Sequence, residues 1–457
     1  MRQVSNKLSI CKHGDYYYVY HKLFGNLSKF DEKCIKMLNN FSKYEEKYPE
    51  IIKRLSDNYF IVEDDEEDEV VREEREDRKL ANDGRNLIGL QLIVSNYCNF
   101  NCKYCFLDEE HKLRDNSIYN APSNMKLEVA QKSIDRMINN IKINGNSVLS
   151  IEFFGGEPLM NWPLIKGVFD LYRNGEENGI EINYTITTNG SLITEEMAEY
   201  FSKYGVNVII SYDSPNSRER ITKNGEDLTS ILRPVLQILK RKNILVSFNS
   251  VISKWTIGNY DYKGLVEFSL ENGVRNLGLI LDLDAEFLTD TWTEDDIVTL
   301  LLNTYDYGRL KGLNVTGYWE KMYQQIANKD YTYFEKGYKA CPATGCKVSV
   351  EPSGDIFACK CCTYKIGSLE DWDSLLKGER YTQYLNKVYM NGEKCSTCEL
   401  HAFCSGVCVG ALEKKGSMYG INESLCYIYK KVTQELIMRS QDSDFDSIFI
   451  MNEQMEE

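Results

Sequence analysis

Between residues 88 and 308, short apolar runs alternate six times with longer stretches of helical periodicity. LQLIV (90–94), VLSIEFF (148–154), INYTIT (182–187), VNVIIS (206–211), ILVSFNSVI (244–252) and NLGLIL (276–281) read as strands. Helices are expected near 125–142, 162–174, 194–203, 229–241, 261–271 and 294–308. Strands separated by helices run parallel, and near-continuous apolar strands are covered on both faces. A partial or full (β/α) barrel is favoured over an open doubly wound sheet. In such barrels the chemistry sits on the loops that follow the strands. The first of these loops, SNYCNFNCKYCFLDEE, carries Cys98, Cys102 and Cys105.

The flanks are of different character. Residues 1–65 predict a small α+β unit. YYYVY (16–20) is a strand, Phe24-Gly25-Asn26 a turn, and Asp31 caps a helix through Ile35, Leu38 and Phe41. A second helix is expected over Tyr44–Asn58 and a closing strand at 60–62, an order that suggests a winged-helix-like domain. An acidic linker (66–87) separates it from the barrel (88–310), and a bridging region (311–337) leads to a cysteine-rich domain (338–440) and an acidic tail (441–457). Metal clusters, rather than a large apolar core, are expected to hold the cysteine-rich region together.

Composition excludes several classes. The net charge is −15, of which EDDEEDEVVREEREDR (63–78) supplies −8 and the segment 442–457 supplies −6. Both read as solvated segments, and neither they nor the nearly neutral remainder suits nucleic acid, which requires basic surface. No run of about 20 apolar residues predicts a membrane span. The N-terminus has no signal-peptide pattern, so a cytoplasmic location is expected, where 15 cysteines call for something other than disulfides. Four histidines are too few for a histidine-based metalloenzyme.

Cys98, Cys102 and Cys105 follow a C-x3-C-x2-C pattern. A structural zinc site normally closes four ligands. Three thiolates instead suit a cubane iron–sulfur cluster with one iron left open. This motif after the first strand resembles the radical S-adenosylmethionine (SAM) superfamily. The resemblance implies a [4Fe-4S] cluster that chelates SAM and cleaves it to a 5′-deoxyadenosyl radical. It also implies backbone contacts from Tyr104 near the adenine. FFGGEP (153–158) is similar to the family's GGE motif, placing Gly155, Gly156 and Glu157 at the amino group of SAM. TTNG (187–190) and SYDSP (211–215) resemble further cofactor-lining loops, implying roles for Thr188, Asn189, Ser211 and Asp213. Arg220, with Arg218 as the other choice, is assigned to the SAM carboxylate, and Asn249 to the ribose.

The later cysteines follow the order Cys341, Gly354, Cys359, Cys395-x2-Cys398-x5-Cys404-x3-Cys408, Cys426. This order resembles the SPASM extension of the superfamily, which holds two auxiliary [4Fe-4S] clusters. The resemblance groups Cys341, Cys359 and Cys408, with Cys346 as fourth ligand, and separately Cys395, Cys398, Cys404 and Cys426. Cys11, Cys34, Cys361 and Cys362 are left without a role.

A winged-helix-like unit ahead of such a barrel resembles the leader-peptide recognition element of peptide-modifying enzymes. There a leader strand adds to the edge of the sheet. Tyr16–Tyr20 or the helix after Asp31 would be the docking site, and a dimerisation or packing appendage is the plain alternative. The whole implies a radical SAM maturase of a ribosomally made precursor peptide, served by an electron donor such as flavodoxin or ferredoxin. The expected product is a thioether between a cysteine sulfur and a carbon, as in sactipeptides and ranthipeptides. A carbon–carbon crosslink is the first rival, and sulfatase-type oxidation of Cys or Ser the second.

Overall fold

Four short strands and two helices begin the chain in a computed structural model that describes residues 2–64, 83–105, 123–222, 225–282, 288, 291–327, 341–387, 393–404 and 406–450. The strands are β1 (Gln3–Val4), β2 (Leu8–His13), β3 (Tyr16–His21) and β4 (Gly25–Phe30). The helix Glu32–Asn39 lies where the capping aspartate placed it, whereas the second, expected from Tyr44, covers only Pro49–Asp57. Asp31 caps the first by accepting from Cys34 N at 2.7 Å. β5 (Ile61–Val62) closes the unit on β1.

β3 is flanked by β2 on one side and β4 on the other. Tyr16–Tyr20 therefore has no edge to offer a peptide strand, which corrects the expectation that it forms the docking site. One face of β3 packs through Tyr18 and Tyr20 into the main core, and the other through Val19 onto the unit's own helices. The unit is fastened to the body at Gly25 (φ 77°). A Cβ there would fall 2.9 Å from Gln325 O on the helix Tyr318–Ala327.

The central sheet follows: β6 (Gly89–Ser95), β7 (Val148–Gly155), β8 (Glu181–Thr188), β9 (Asn207–Ser211), β10 (Val246–Ile252), β11 (Asn276–Leu281) and β12 (Asn314–Thr316). All seven are parallel neighbours in that order. The intervening helices are Leu127–Ile143, Trp162–Tyr172, Glu195–Lys203, Leu228–Arg241, Tyr262–Glu271 and Glu294–Lys311. Thr194, Asp227, Asp261 and Thr293 cap four of them with side-chain oxygens, satisfying backbone N–H groups that a helix start leaves unpaired. Strand residues alternate: in β10, Val246, Phe248, Ser250 and Ile252 are buried, while Ser247, Asn249 and Val251 are half-buried on the other face.

The cysteine-rich region is joined to this sheet. β13 (Lys347–Val350) pairs in parallel with β6, and β14 (Asp355–Phe357) and β15 (Lys365–Ser368) continue as antiparallel strands, giving ten strands with β12 and β15 at the edges. The sheet does not close, as expected for a partial barrel. The region also shares the apolar core of the barrel. Val348, Ile356, Trp372, Tyr381, Leu412, Leu425 and Ile428 are buried in the same cluster as the barrel strands. Metal is thus not the sole cement expected there.

The acidic tail is likewise packed on the body over residues 441–450, where solvation throughout was expected. Its strand β16 (Ser447–Phe449) pairs in parallel with β4 and gives the N-terminal sheet the order β16-β4-β3-β2. Residues 65–78 of the acidic block lie outside the described residues. No described helix is long and apolar enough to cross a membrane.

Candidate functional site

The ends of β6 and β7 are locked together by glycine. Gly155 sits at φ 144°, and a Cβ there would meet Ser95 O at 2.1 Å. A Cβ on Gly156 would meet Tyr97 O at 2.4 Å. The space that side chains would take is used for backbone bonds, Gly156 N to Ser95 O and Glu157 N to Tyr97 O, both 2.8 Å. The cysteine loop is thereby registered against the GGE turn.

Glu157 is buried. It accepts from Leu159 N (3.0 Å), Thr188 Oγ1 (2.7 Å) and Asn189 N (2.8 Å). Burial nevertheless pushes its carboxyl up to about 7, because three neutral donors do not replace lost hydration or a counter-charge. Asn189 Nδ2 donates to Asn99 Oδ1 at 2.9 Å, tying the third-strand loop to the cysteine loop. Asn99 was missed by the sequence reading, since nothing in CNFNC marks it as more than a spacer.

The loop after β9 grips the cysteine loop from the other side. Asn101 N donates to Ile221 O and Lys103 N to Glu219 O. Between these bonds lies Arg220, buried beside Cys102 and 3.2 Å from Asp213. Burial works against its charge, yet Asp213 holds the guanidinium protonated above its ordinary value. Arg218 is exposed and bonds to Pro215 O and Ser217 O, so Arg220 is the arginine brought to the cysteines. Asp213 commits its carboxylate to Tyr104 OH, Arg220 and Val251 N. It acts here as an organiser of protein groups. Ser211 and Asn249 are register partners on β9 and β10, and the Asn249 carboxamide occupies the space left by Gly278.

The three thiols are close enough to raise one another. Cys98 is pushed up to about 11 by burial, with Glu157, Cys102 and Cys105 adding to it. Burial also raises Cys102, against the pull of Arg220. Crowded, partly buried thiols next to a carboxylate have Arg220 at Cys102 as a nearby positive charge, and a cationic iron–sulfur group would add to it. Asn96 Oδ1 and Ser214 Oγ, on the same loops, are buried with no hydrogen-bond partner among the described residues. Donor set, glycine cradle and uncompensated Glu157 together fit a cluster with SAM at its open side.

The later cysteines fall into two sets. Burial pushes Cys341 up to about 11, with Cys359 and Cys346 contributing. Cys346 is fixed by its carbonyl, which accepts from Ile88 N and Gly89 N at the start of β6. A Cβ at Gly410 would lie 1.7 Å from Cys361 O, so the helix Val409–Lys414 is pressed onto the segment after Cys359. Cys408 begins that helix, and together with Cys404 and Cys426 it adds to the burial that raises Tyr429. In the second set, burial raises Cys426, helped by Cys395 and Cys398. Cys398 N bonds Cys395 O in a turn, and Cys404 N bonds Leu400 O. Among the described residues no three of these side chains are grouped closely enough to hold a metal ion as they stand. The buried Lys387 lies within the field of Cys341, Cys395 and Cys404, between the sets, and no sequence pattern flagged it. Of the cysteines without a role, Cys34 packs in the N-terminal core and Cys362 in the main core.

A second polar centre lies on the half-open face of the sheet. Glu152 of β7 accepts from Gln91 Nε2 at 2.6 Å and Thr187 Oγ1 at 3.2 Å, with Lys347 Nζ at 3.4 Å and Lys360 Nζ at 3.8 Å. Burial alone would raise its carboxyl, but the two lysines hold it down at about 2. The Lys360 ammonium also stands 3.4 Å from the Phe154 ring centroid. The signal in the sequence was a lone carboxylate inside the otherwise apolar VLSIEFF, and it was passed over.

Comparisons with known proteins agree with this geometry. The family model "Radical SAM superfamily" matches residues 92–255. The chain is 36% identical over 460 residues to the radical SAM cyclopropyl synthase TigE of Paramaledivibacter caminithermalis, covering 95% of both chains. It is 22% identical over 358 residues to a cysteine-type anaerobic sulfatase-maturating enzyme of Clostridium perfringens, covering 74% of this chain and 93% of that one. Streptococcus suis SuiB bound to its precursor peptide SuiA shares the fold, with a TM-score of 0.55 at 18% identity over 93% of this chain and 100% of that one. The chain therefore belongs to the radical SAM superfamily, among its enzymes that modify peptides or proteins.

Proposed function

We propose that the enzyme modifies a ribosomally made precursor peptide by removing a hydrogen atom from a peptide carbon and closing a carbon–carbon bond. The observation that carries this reading is the end-to-end 36% identity to a cyclopropyl synthase. When bound, the cluster and SAM supply the hydrogen-abstracting radical. Cys98, Cys102 and Cys105 hold the cluster. Glu157, fixed by Thr188 and Asn189, receives the SAM amino group, and Gly155 and Gly156 allow close backbone approach. Tyr104, Ser211 and Asn249 line the remaining cofactor surface. Asp213 holds Arg220 in place to face the SAM carboxylate or the cluster. Two auxiliary [4Fe-4S] clusters are assigned to Cys341, Cys346, Cys359 and Cys408, and to Cys395, Cys398, Cys404 and Cys426. Bound there, such clusters would supply electron-accepting chemistry beside the peptide, and a flavodoxin or ferredoxin would serve as the external electron donor. Residues 1–65 serve as the leader-recognition unit.

The thioether linkage expected above begins with the same abstraction but consumes a peptide thiol. Anaerobic reaction with the peptide encoded beside the gene separates the two. Loss of two hydrogens with every cysteine of the peptide still alkylatable supports the carbon–carbon bond. A blocked cysteine supports the thioether, and cysteine oxidation without a crosslink supports sulfatase-type chemistry. An unaltered peptide sinks all three. The anaerobic protein should carry ~12 irons, and the triple Cys98, Cys102, Cys105→Ala variant ~8, with no 5′-deoxyadenosine formed.

A further inference from the structure

The N-terminal sheet has a strand-accepting edge that is already filled. β4 borders a groove whose opposite wall is the helix Pro49–Asp57, and in it lies β16, from the far end of the same chain. Ser447, Ile448 and Phe449 stand opposite Ser28, Lys29 and Phe30. Asp446 N donates to Leu27 O at 2.8 Å, and Asp31 N to Phe449 O at 3.0 Å. Phe449 is the anchor. It is buried, stacks on Phe30 at 4.5 Å, meets Phe60 edge-on at 6.3 Å, and lies 4.6 Å beneath the Arg54 guanidinium. Arg54 also donates to Ile448 O at 3.3 Å. Upstream, Lys29 Nζ holds Asp442 at 2.8 Å.

This is how a bound peptide uses a sheet edge: main-chain bonds along the strand, one aromatic in a pocket, and charges matched at the rim. Only three residues pair and Asp442 of the rim ion pair is exposed, while Phe445 packs on Tyr18 and Asp444 is held by Tyr323 and Arg309, so the strand itself is the short part of the contact. A tethered strand still competes at high effective concentration, and a free peptide meets an apparent affinity reduced by the fraction of empty groove.

We propose that residues 446–449 are a built-in competitor for the groove between β4 and the helix Pro49–Asp57, the edge that on the peptide-modifying reading receives the leader strand. The leader is an extended strand with an aromatic at the position of Phe449 and acidic residues before it, matching Arg54 and Lys29. The proposal rests on the peptide-modifying reading above.

The test uses the full chain and a synthetic peptide of residues 441–450. In hydrogen–deuterium exchange, excess peptide should raise exchange of the chain's own 446–449 amides by ~10-fold or more while residues 25–30 stay protected. Unchanged exchange at 446–449 overturns the proposal. A fluorescein-labelled copy should bind Phe449→Asp ~10-fold or more tighter than wild type, with a smaller gain in the same direction for Asp442→Lys, which leaves the core intact. Equal binding to wild type and both variants, or none, overturns it. The same peptide should raise the KM for the precursor peptide and leave kcat unchanged. An enzyme that modifies its precursor without such competition retains the proposed function and refutes the competitor. One whose tail exchanges but which modifies no peptide refutes the proposed function alone.

Discussion

Asp213 and Arg220 meet at 3.2 Å inside the protein, and through Arg220 the end of the fourth barrel strand is joined to Cys102. The pair is a clasp between two loops that are more than 100 residues apart in sequence. Asp213 also fixes Tyr104 and Val251 N, so a single carboxylate organises three elements.

Removing one partner of this pair leaves the other buried and uncompensated. Asp213→Asn is expected to lower stability by ~3–5 kcal/mol. Asp213→Asn combined with Arg220→Met should recover part of that loss. Anaerobic thermal melts of the loaded protein check both, and a double variant no more stable than the single one contradicts the clasp.

At Gly156 the obstruction is backbone, which cannot rotate away. An added Cβ would lie 2.4 Å from Tyr97 O and 2.8 Å from Tyr97 C. Gly156→Ala should displace the cysteine loop from the GGE turn and reduce 5′-deoxyadenosine formation ~100-fold or more. Single-turnover assays with excess reductant measure this, and near wild-type cleavage would contradict the packing.

Glu152→Gln keeps the bond to Gln91 but leaves Lys347 and Lys360 without their carboxylate. A loss of ~3–5 kcal/mol is expected at pH 7. The folded value of about 2 lies below the free value of 4.5. The contribution of Glu152 is therefore complete above the free value and fades as pH falls toward the folded one. Denaturant titrations should show the gap between wild type and variant closing over that acidic range.

Glu320 behaves in the opposite sense. Buried on the helix Tyr318–Ala327 with Gln324 as its hydrogen-bond donor, it is raised from 4.5 to about 7 by desolvation. Between those values the folded chain holds a proton that the unfolded chain has lost. Stability should fall as pH rises across that window, by up to ~3 kcal/mol, and stay flat above it. Glu320→Gln should reduce the slope in melts taken from pH 5 to 7.5, leaving the part that Glu157 contributes in the same window.

The sequence by itself determined whatever depends on neighbours along the chain. Apolar runs and capping residues located all six strand–helix pairs within a few residues, because period and caps are local properties. Cysteine spacing and GGEP marked the proposed cofactor motifs for the same reason. Which partners those residues take was decided only by the tertiary structure. Asp213 reads like a cofactor contact in SYDSP, but its oxygens are claimed by Tyr104, Arg220 and Val251. Glu152 becomes meaningful only when β13 folds against β6 and brings Lys347 to it from 195 residues away. The tail looked like solvated acid because its pairing partner, β4, lies at the other end of the chain. Strand pairing at such separation leaves no periodic trace in either strand, since the hydrogen bonds are made by backbone that every residue shares.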